Sequence, residues 1–149
     1  MTDFALVDDD QQLHVRDGAW KPELGPEGFD RVPLHPGAGI TAFVNDCGFR
    51  LPDRYPRNIL GALIAIRLGA HIRPLAGPVV FTGWNPAGCG SEIRPLNPAD
   101  IQSLTAIHAD FTAALNGTHH NQAWAGKVLA AADQLRSMPT PTITLIGGL

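Results

Sequence analysis

Residues 78–90 read PVVFTGWNPAGCG. The first part, from Pro78 to Thr82, is a short apolar run with β-branched and aromatic residues, which is typical of a buried strand. The second part combines Gly83, Gly88 and Gly90 with an Asn-Pro pair, and this composition predicts a turn. A nucleotide-binding glycine loop needs a helix N-terminus directly after it, whereas residues 91–96 are expected to be extended. The segment therefore predicts a hairpin built on a core strand.

The rest of the chain contains strand and helix patterns on both sides of this segment. The predicted strands are 4–7 and 13–16 around an acidic turn, 31–34 and 40–44 as a second hairpin, and a terminal strand at 142–146. The predicted helices run from 57–58 to 68, from 97 to 115 and from 122 to 138. Strands and helices do not alternate as in a parallel sheet, so the order predicts an α+β fold, a mostly antiparallel sheet of short strands packed with three helices.

The length and composition predict one soluble domain. The chain has 149 residues, 44% of them hydrophobic and 17% charged, with a net charge of −3. We expect a β-rich part with one buried helix in 1–96, and a two-helix C-terminal extension with a terminal strand in 97–149. The N-terminus has no signal-peptide pattern, the longest apolar run is too short to cross a bilayer, and the two cysteines form no disulfide framework. These features predict a cytoplasmic protein and favour neither nucleic acid nor a membrane as partner.

The charges are unevenly distributed along the chain. Residues 1–46 hold nine acidic and three basic residues, a net −6, whereas residues 47–96 hold six arginines and two acidic residues, a net +4. One interpretation is complementarity within the fold or across a homodimer. The other is an arginine-rich face that binds an anionic ligand, because guanidinium groups bind phosphate and carboxylate with two hydrogen bonds.

The densest cluster of arginines lies in FRLPDRYPRN, residues 49–58. We take Arg50, Arg54, Arg57 and Asn58, together with Trp84 after the core strand, as candidate ligand-binding residues. If this segment lies beside the Gly83–Gly90 turn, the two would form a pocket for an anionic small molecule such as a nucleotide.

Residues suited to catalysis or metal binding occur without a recognisable pattern. Cys89 lies in no known nucleophile context, and the acidic run 8–10 lacks the spacing of a calcium loop. His108 falls on the apolar stripe of its helix, which indicates a residue at the edge of the core. The adjacent His119 and His120 are expected to point in different directions, which disfavours a shared metal. We therefore assign no catalytic residue, metal or cofactor.

The middle of the chain contains three short motifs: VNDCG at 44–48, LP at 51–52 with PRN at 56–58, and AGPVVFTG at 76–83. With the opening FALV strand and a closing segment at 92–96, they resemble a small domain-of-unknown-function family of phages, plasmids and actinobacteria. The resemblance covers somewhat under half of the chain, from Ile40 to about Leu104. An insertion between 52 and 58 and the two C-terminal helices depart from it. It implies an accessory protein of a mobile element and no particular reaction.

The sequence thus leaves three functions open. The first is a non-catalytic accessory protein of phage or mobile-element type that binds a host macromolecule, with a protein favoured as partner. The second is the binding or sequestering of an anionic small molecule such as a nucleotide. The third is a small hydrolase whose His, Asp and Cys residues are assembled by the fold.

Overall fold

A computed structural model describes residues 3–85 and 92–139 of the chain. Its strands are β1 (Asp3–Val7), β2 (Leu13–Asp17), β3 (Phe29–Val32), β4 (Ile40–Asn45), β5 (Val79–Asn85) and β6 (Glu92–Arg94). Its helices are α1 (Ile59–Arg67), α2 (Pro98–Leu115) and α3 (Gln122–Ser137). The predicted α+β fold with a mostly antiparallel sheet and three helices is confirmed. The predicted terminal strand at 142–146 and Cys89 lie outside the described residues.

The strand β5 is the centre of the sheet. The strand order is β2-β1-β5-β4-β3, and all pairs are antiparallel. On the edge of β5 opposite to β4, β1 pairs with its N-terminal half and β6 with its C-terminal half, so that Gly83 pairs with Ile40 on one side and Arg94 on the other.

The predicted hairpin after β5 is confirmed. The sequence predicted that its turn begins at Gly83, but in the structure β5 continues to Asn85. Gly83, Trp84 and Asn85 are strand residues, because β6 supplies ladder partners that local turn signals do not reveal. A β-carbon on Gly83 would lie 2.6 Å from the backbone oxygen of Pro95, so this glycine permits the close approach of the returning chain.

The helices cover one face of the sheet and enclose the main core. Every residue from Ile59 to Ala65 of α1 is buried, as its nearly uniform apolar sequence predicts, and α1 packs over Val79 and Phe81 of β5. The helix α2 begins with the predicted cap: the Asn97 side chain accepts from the Asp100 amide, and the Asp100 side chain accepts from the Asn97 amide.

The opposite face of the sheet has a smaller core. Its members are Phe4, Leu6, Trp20, Leu24, Phe43 and Val80. Trp20 and Leu24 belong to a short 3-10 segment that folds over the sheet, where the Trp20 ring stacks on Phe43 with 4.2 Å between centroids. This segment covers the N-terminal half of β5, and the side chains near the C-terminal end of β5 extend beyond it.

Candidate functional site

Arg57 of the predicted ligand site is bonded within the fold. Its Nη1 donates to the carbonyl oxygens of Leu135, at 2.7 Å, and of Arg136, at 3.3 Å. These carbonyls lie in the last turn of α3, where no helical amide is available to them and where a positive charge is favourable. Arg57 therefore fastens the C-terminal helix to the β-rich part of the chain.

Asn58 is a buried helix cap. Its Oδ1 accepts from the amide of Gly61, at 2.8 Å, which caps the N-terminus of α1. Its Nδ2 donates to the carbonyls of Val7 and Gly77, at 2.9 and 3.0 Å. The residue is 1% exposed, so it is inaccessible to a ligand in this conformation.

Arg54 and Arg50 remain at the surface beside these structural residues. The guanidinium of Arg54 lies 3.6 Å from the carboxylate of Glu27 and stacks on the ring of Tyr55. The Tyr55 hydroxyl donates to the same carboxylate, and this hydrogen bond, reinforced by burial, raises the pKa of Tyr55. Arg50 is exposed, and its side chain makes no hydrogen bond or ion pair within the described part of the chain.

Trp84 lies far from the arginine segment. Tyr55 contacts Gly77, which precedes β5, whereas Trp84 is the sixth residue of β5. The intervening extended chain spans about 20 Å at roughly 3.3 Å per residue. The described residues therefore do not bring Arg50–Asn58 and Trp84 into one pocket.

Trp84 belongs instead to a row of side chains on the sheet face opposite the helices. The guanidinium of Arg31 lies 4.5 Å from the centroid of the Trp84 ring, and Ile93 is the cross-strand neighbour of Trp84. Phe29 lies two residues before Arg31 on the same face of β3, with the Lys21 ammonium 5.2 Å from its ring centroid. We call these five residues the aromatic strip.

Two threonines lie beneath the aromatic strip. Thr41 and Thr82 are directly opposite each other in the β4–β5 pair, and both are fully buried. The Thr41 hydroxyl accepts from Arg31 at 3.4 Å. The hydroxyl of Thr82 has no hydrogen-bond partner among the described residues, which is costly for a buried polar group.

The aromatic strip contains four residues that the sequence did not single out. Phe29 and Arg31 alternate with Asp30 and Val32, a period-two signal that marks two faces of a strand. The predicted strand began at Arg31 and therefore missed Phe29. Arg31 and Trp84 come close because their strands, β3 and β5, both pair with β4. No local sequence signal reveals this pairing.

A concavity of about 260 Å³ lies where the three helices meet. Its lining residues are Arg67, Asp110, His119, His120, Asn121 and Trp124, and we call it the histidine notch. The rings of His119 and His120 stack with 4.4 Å between centroids, so the expectation that adjacent histidines point apart is wrong. The reason is local: His119 Nδ1 accepts from the amide of Asn121, at 3.0 Å, which folds the loop back on itself.

Two histidines lie close to a carboxylate, as the catalytic histidine of a hydrolase does. His14 lies 2.6 Å from Asp8, and His119 lies 3.4 Å from Asp110. Burial alone would raise the pKa of Asp8, but hydrogen bonds from the backbone of Gln12 and from His14 outweigh it and lower that pKa. In residues 3–85 and 92–139, no hydroxyl or thiol side chain hydrogen-bonds to either histidine, as an activated nucleophile would.

Across the described ranges, no group of three His, Cys, Asp or Glu side chains is placed to hold a metal ion. The helices found in those same ranges include none with the length and apolar character needed to traverse a bilayer.

Comparison with known proteins returned no match of this chain to a protein-family model, a curated protein or a solved structure. The geometry of the chain is therefore the basis for assigning a function.

Proposed function

We propose that this chain is a non-catalytic accessory protein of phage or mobile-element type that binds another protein through the aromatic strip. The observation that carries the proposal is the stack of Arg31 on Trp84 between two exposed apolar side chains, Phe29 and Ile93. The motif resemblance supports the mobile-element setting, and the predicted cytoplasmic location agrees with it.

The composition of the aromatic strip favours protein recognition. Tryptophan and arginine are enriched among residues that dominate binding energy at protein interfaces. Phe29 and Ile93 leave 43% and 41% of their surface exposed, so burying them against a partner removes further apolar surface from water. The strip crosses four strands, from β3 to β6, which is about 14 Å at roughly 4.8 Å per strand, and the strand registers offset Phe29 from Trp84 by about 20 Å along the strands, at roughly 3.3 Å per residue. It therefore has the dimensions of the centre of a standard interface.

The charges of the aromatic strip define the chemistry of the partner. Lys21 and Arg31 are both cationic and exposed, and they flank Phe29. A complementary surface presents carboxylates to these two groups and apolar side chains to Phe29 and Ile93. A protein is favoured over nucleic acid because the chain is net negative and because Arg31 occupies one face of Trp84, which limits base stacking.

Binding is favoured over the hydrolase alternative by the contacts of the two histidine pairs. Asp8 also accepts from the amides of Asp10 and Gln12, both at 2.9 Å, so it closes the turn between β1 and β2. His119 has both ring nitrogens engaged, one by the Asn121 amide and one by Asp110. Neither pair leaves a histidine nitrogen directed at a nucleophile within the described part of the chain.

Site-specific photo-crosslinking tests the proposal. A benzophenone amino acid replaces Phe29 or Ile93, and matched controls carry it at Val15 and Leu129, which are similarly exposed, at 47% and 42%, on other surfaces. In lysate of the organism that encodes the chain, positions 29 and 93 should yield one common protein adduct that the controls do not. Adducts with nucleic acid, or equal adducts from all four positions, would refute the proposal.

A binding measurement with the purified partner completes the test. Arg31→Glu should weaken binding at least tenfold, which is about 1.4 kcal/mol, because it places a carboxylate opposite the acidic partner surface. Arg50→Glu is the matched control, since the Arg50 side chain is exposed and makes no hydrogen bond or ion pair with the aromatic strip among the described residues. Equal losses in the two variants would show that net charge, rather than the aromatic strip, controls binding.

A further inference from the structure

We propose that the histidine notch is a second, separate binding site, which accepts a small phosphate ester carrying a planar ring, the chemistry of a nucleotide. The proposal rests on three features of the notch: an unpaired guanidinium, a column of contacting rings that ends at the surface, and an exposed carboxylate. Each contributes a contact to a different part of such a ligand.

The guanidinium of Arg67 is the anchor for the phosphate. Arg67 is the last residue of α1 and lines the notch. Within the described part of the chain, the Arg67 guanidinium makes no hydrogen bond and no ion pair, in contrast to that of Arg57, which is bonded to α3. A free guanidinium offers a planar pair of N–H donors that matches a phosphate. The α3 N-terminus borders the same concavity and has no acidic residue in its first turn, so it adds to the positive potential.

A column of four rings leads from the core to the notch. Phe111 is buried, and the distances between successive centroids are 5.6 Å to Trp124, 4.7 Å to His119 and 4.4 Å to His120. His120 is exposed, and its ring has no further ring neighbour within the described residues. A planar ligand ring stacked on His120 would continue the column at the spacing that aromatic pairs prefer.

A hydrogen bond and a carboxylate contact hold the ring of His119 beneath His120. Since His119 Nδ1 accepts from the Asn121 amide, the proton of the neutral ring is on Nε2, which lies 3.4 Å from the Asp110 carboxylate. The His119 side chain is 9% exposed, so it serves as a rigid support. His120 has no hydrogen-bond partner in the described ranges, and its ring nitrogens are available to the ligand.

The remaining carboxylate selects against a bare anion. Asp110 is exposed at the rim of the notch and would repel inorganic phosphate, but it accepts hydrogen bonds from a hydroxyl or amino group of a larger ligand. The volume, about 260 Å³, lies just below the usual range for ligand pockets, which begins at about 300 Å³. The site therefore fits a nucleoside monophosphate better than a dinucleotide.

Titration of the full chain, followed by NMR amide shifts, tests the site with defined probes. The four ribonucleoside monophosphates are compared with inorganic phosphate and with adenosine. We expect at least one monophosphate to bind tenfold or more tightly than either fragment, with the largest shifts in residues 119–124. Absence of saturable binding by every monophosphate at millimolar concentration would overturn the proposal.

Variants assign the contacts within the notch. Arg67→Gln should weaken monophosphate binding at least tenfold, and His120→Ala should weaken it without changing the weak binding of inorganic phosphate. Arg50→Gln is the matched control and should leave the affinity unchanged. Equal losses in Arg50→Gln and Arg67→Gln would show non-specific attraction and overturn the proposal. Crosslinking from Phe29 should be the same in Arg67→Gln as in wild type, so failure at the notch is distinguishable from failure at the aromatic strip.

Discussion

The substitution Asn58→Ala should destabilise this fold far more than removal of the other helix caps. Asn58 joins three elements: its oxygen caps α1 through the Gly61 amide, and its nitrogen donates to carbonyls at the end of β1 and in the turn before β5. Asn121 performs the same capping role for α3, accepting from the Trp124 amide at 3.1 Å, but it is exposed. The two residues form a matched pair that separates capping from burial.

The magnitude follows from the contacts that each substitution removes. Loss of an N-cap costs about 1 kcal/mol, and this is the whole effect expected for Asn121→Ala. Asn58→Ala also removes the donor from the carbonyls of Val7 and Gly77, at about 1 kcal/mol for each buried carbonyl, and leaves a small cavity. The sum is about 3–5 kcal/mol, a large fraction of the roughly 5–15 kcal/mol that stabilises a typical domain.

Urea unfolding followed by far-UV circular dichroism measures both free energies. Asn58→Asp provides a third point, because it keeps the capping oxygen but presents a second oxygen to the two carbonyls. It should be at least as destabilising as Asn58→Ala at neutral pH. If Asn58→Ala and Asn121→Ala agree within about 1 kcal/mol, or if Asn58→Asp is as stable as wild type, the donor bonds of Asn58 contribute nothing and the reasoning fails.

Two further predictions concern the alkaline pH range and the buried threonines. The hydrogen bond to Glu27 and burial raise the pKa of Tyr55 above 10, so the folded state gains stability from this proton below pH 10 and loses it as the pH rises further. Tyr55→Phe should cost about 1 kcal/mol at neutral pH, and its unfolding free energy should converge with that of wild type in alkali; a constant difference would contradict this. Thr82→Val removes a buried hydroxyl without a described partner and should stabilise by about 1 kcal/mol in urea unfolding, whereas Thr41→Val, which takes an acceptor from Arg31, should not. A less stable Thr82→Val protein would show that the hydroxyl is bonded.

Local signals in the sequence predicted the helices well. Asn97-Pro98-Ala99-Asp100 contains a cap, a first-turn proline and an acidic third residue, and the structure has a complete capping box there. The stop of α1 was equally readable, because Gly69 adopts a φ of 106° that other residues avoid. Both features depend only on neighbours within one or two turns.

Distant partners explain what the sequence did not predict. Gly83 to Asn85 continue β5 because β6 pairs with them, although glycine and Asn-Pro are turn signals. The stack of Arg31 on Trp84 spans three strands and 53 positions of sequence. His119 and His120 stack because the next residue donates its amide back to a ring nitrogen, which is a property of one loop conformation rather than of composition.

The bonds of Arg57 show why the density of arginines along the chain does not by itself identify a ligand-binding residue. The Arg57 guanidinium bonds a carbonyl 78 positions away, so its charge stabilises the end of α3 and is already compensated within the fold. Arg67 is ten residues further along and has no such carbonyl within the described part of the chain. A polar group that is already bonded within the protein has few hydrogen-bond donors left for a ligand. An unbonded guanidinium at a concave surface can offer all of its N–H donors to one. Contact with the rest of the fold, rather than density along the chain, therefore identifies Arg57 as a structural arginine, and it supports the proposal of a site at Arg67 in the notch.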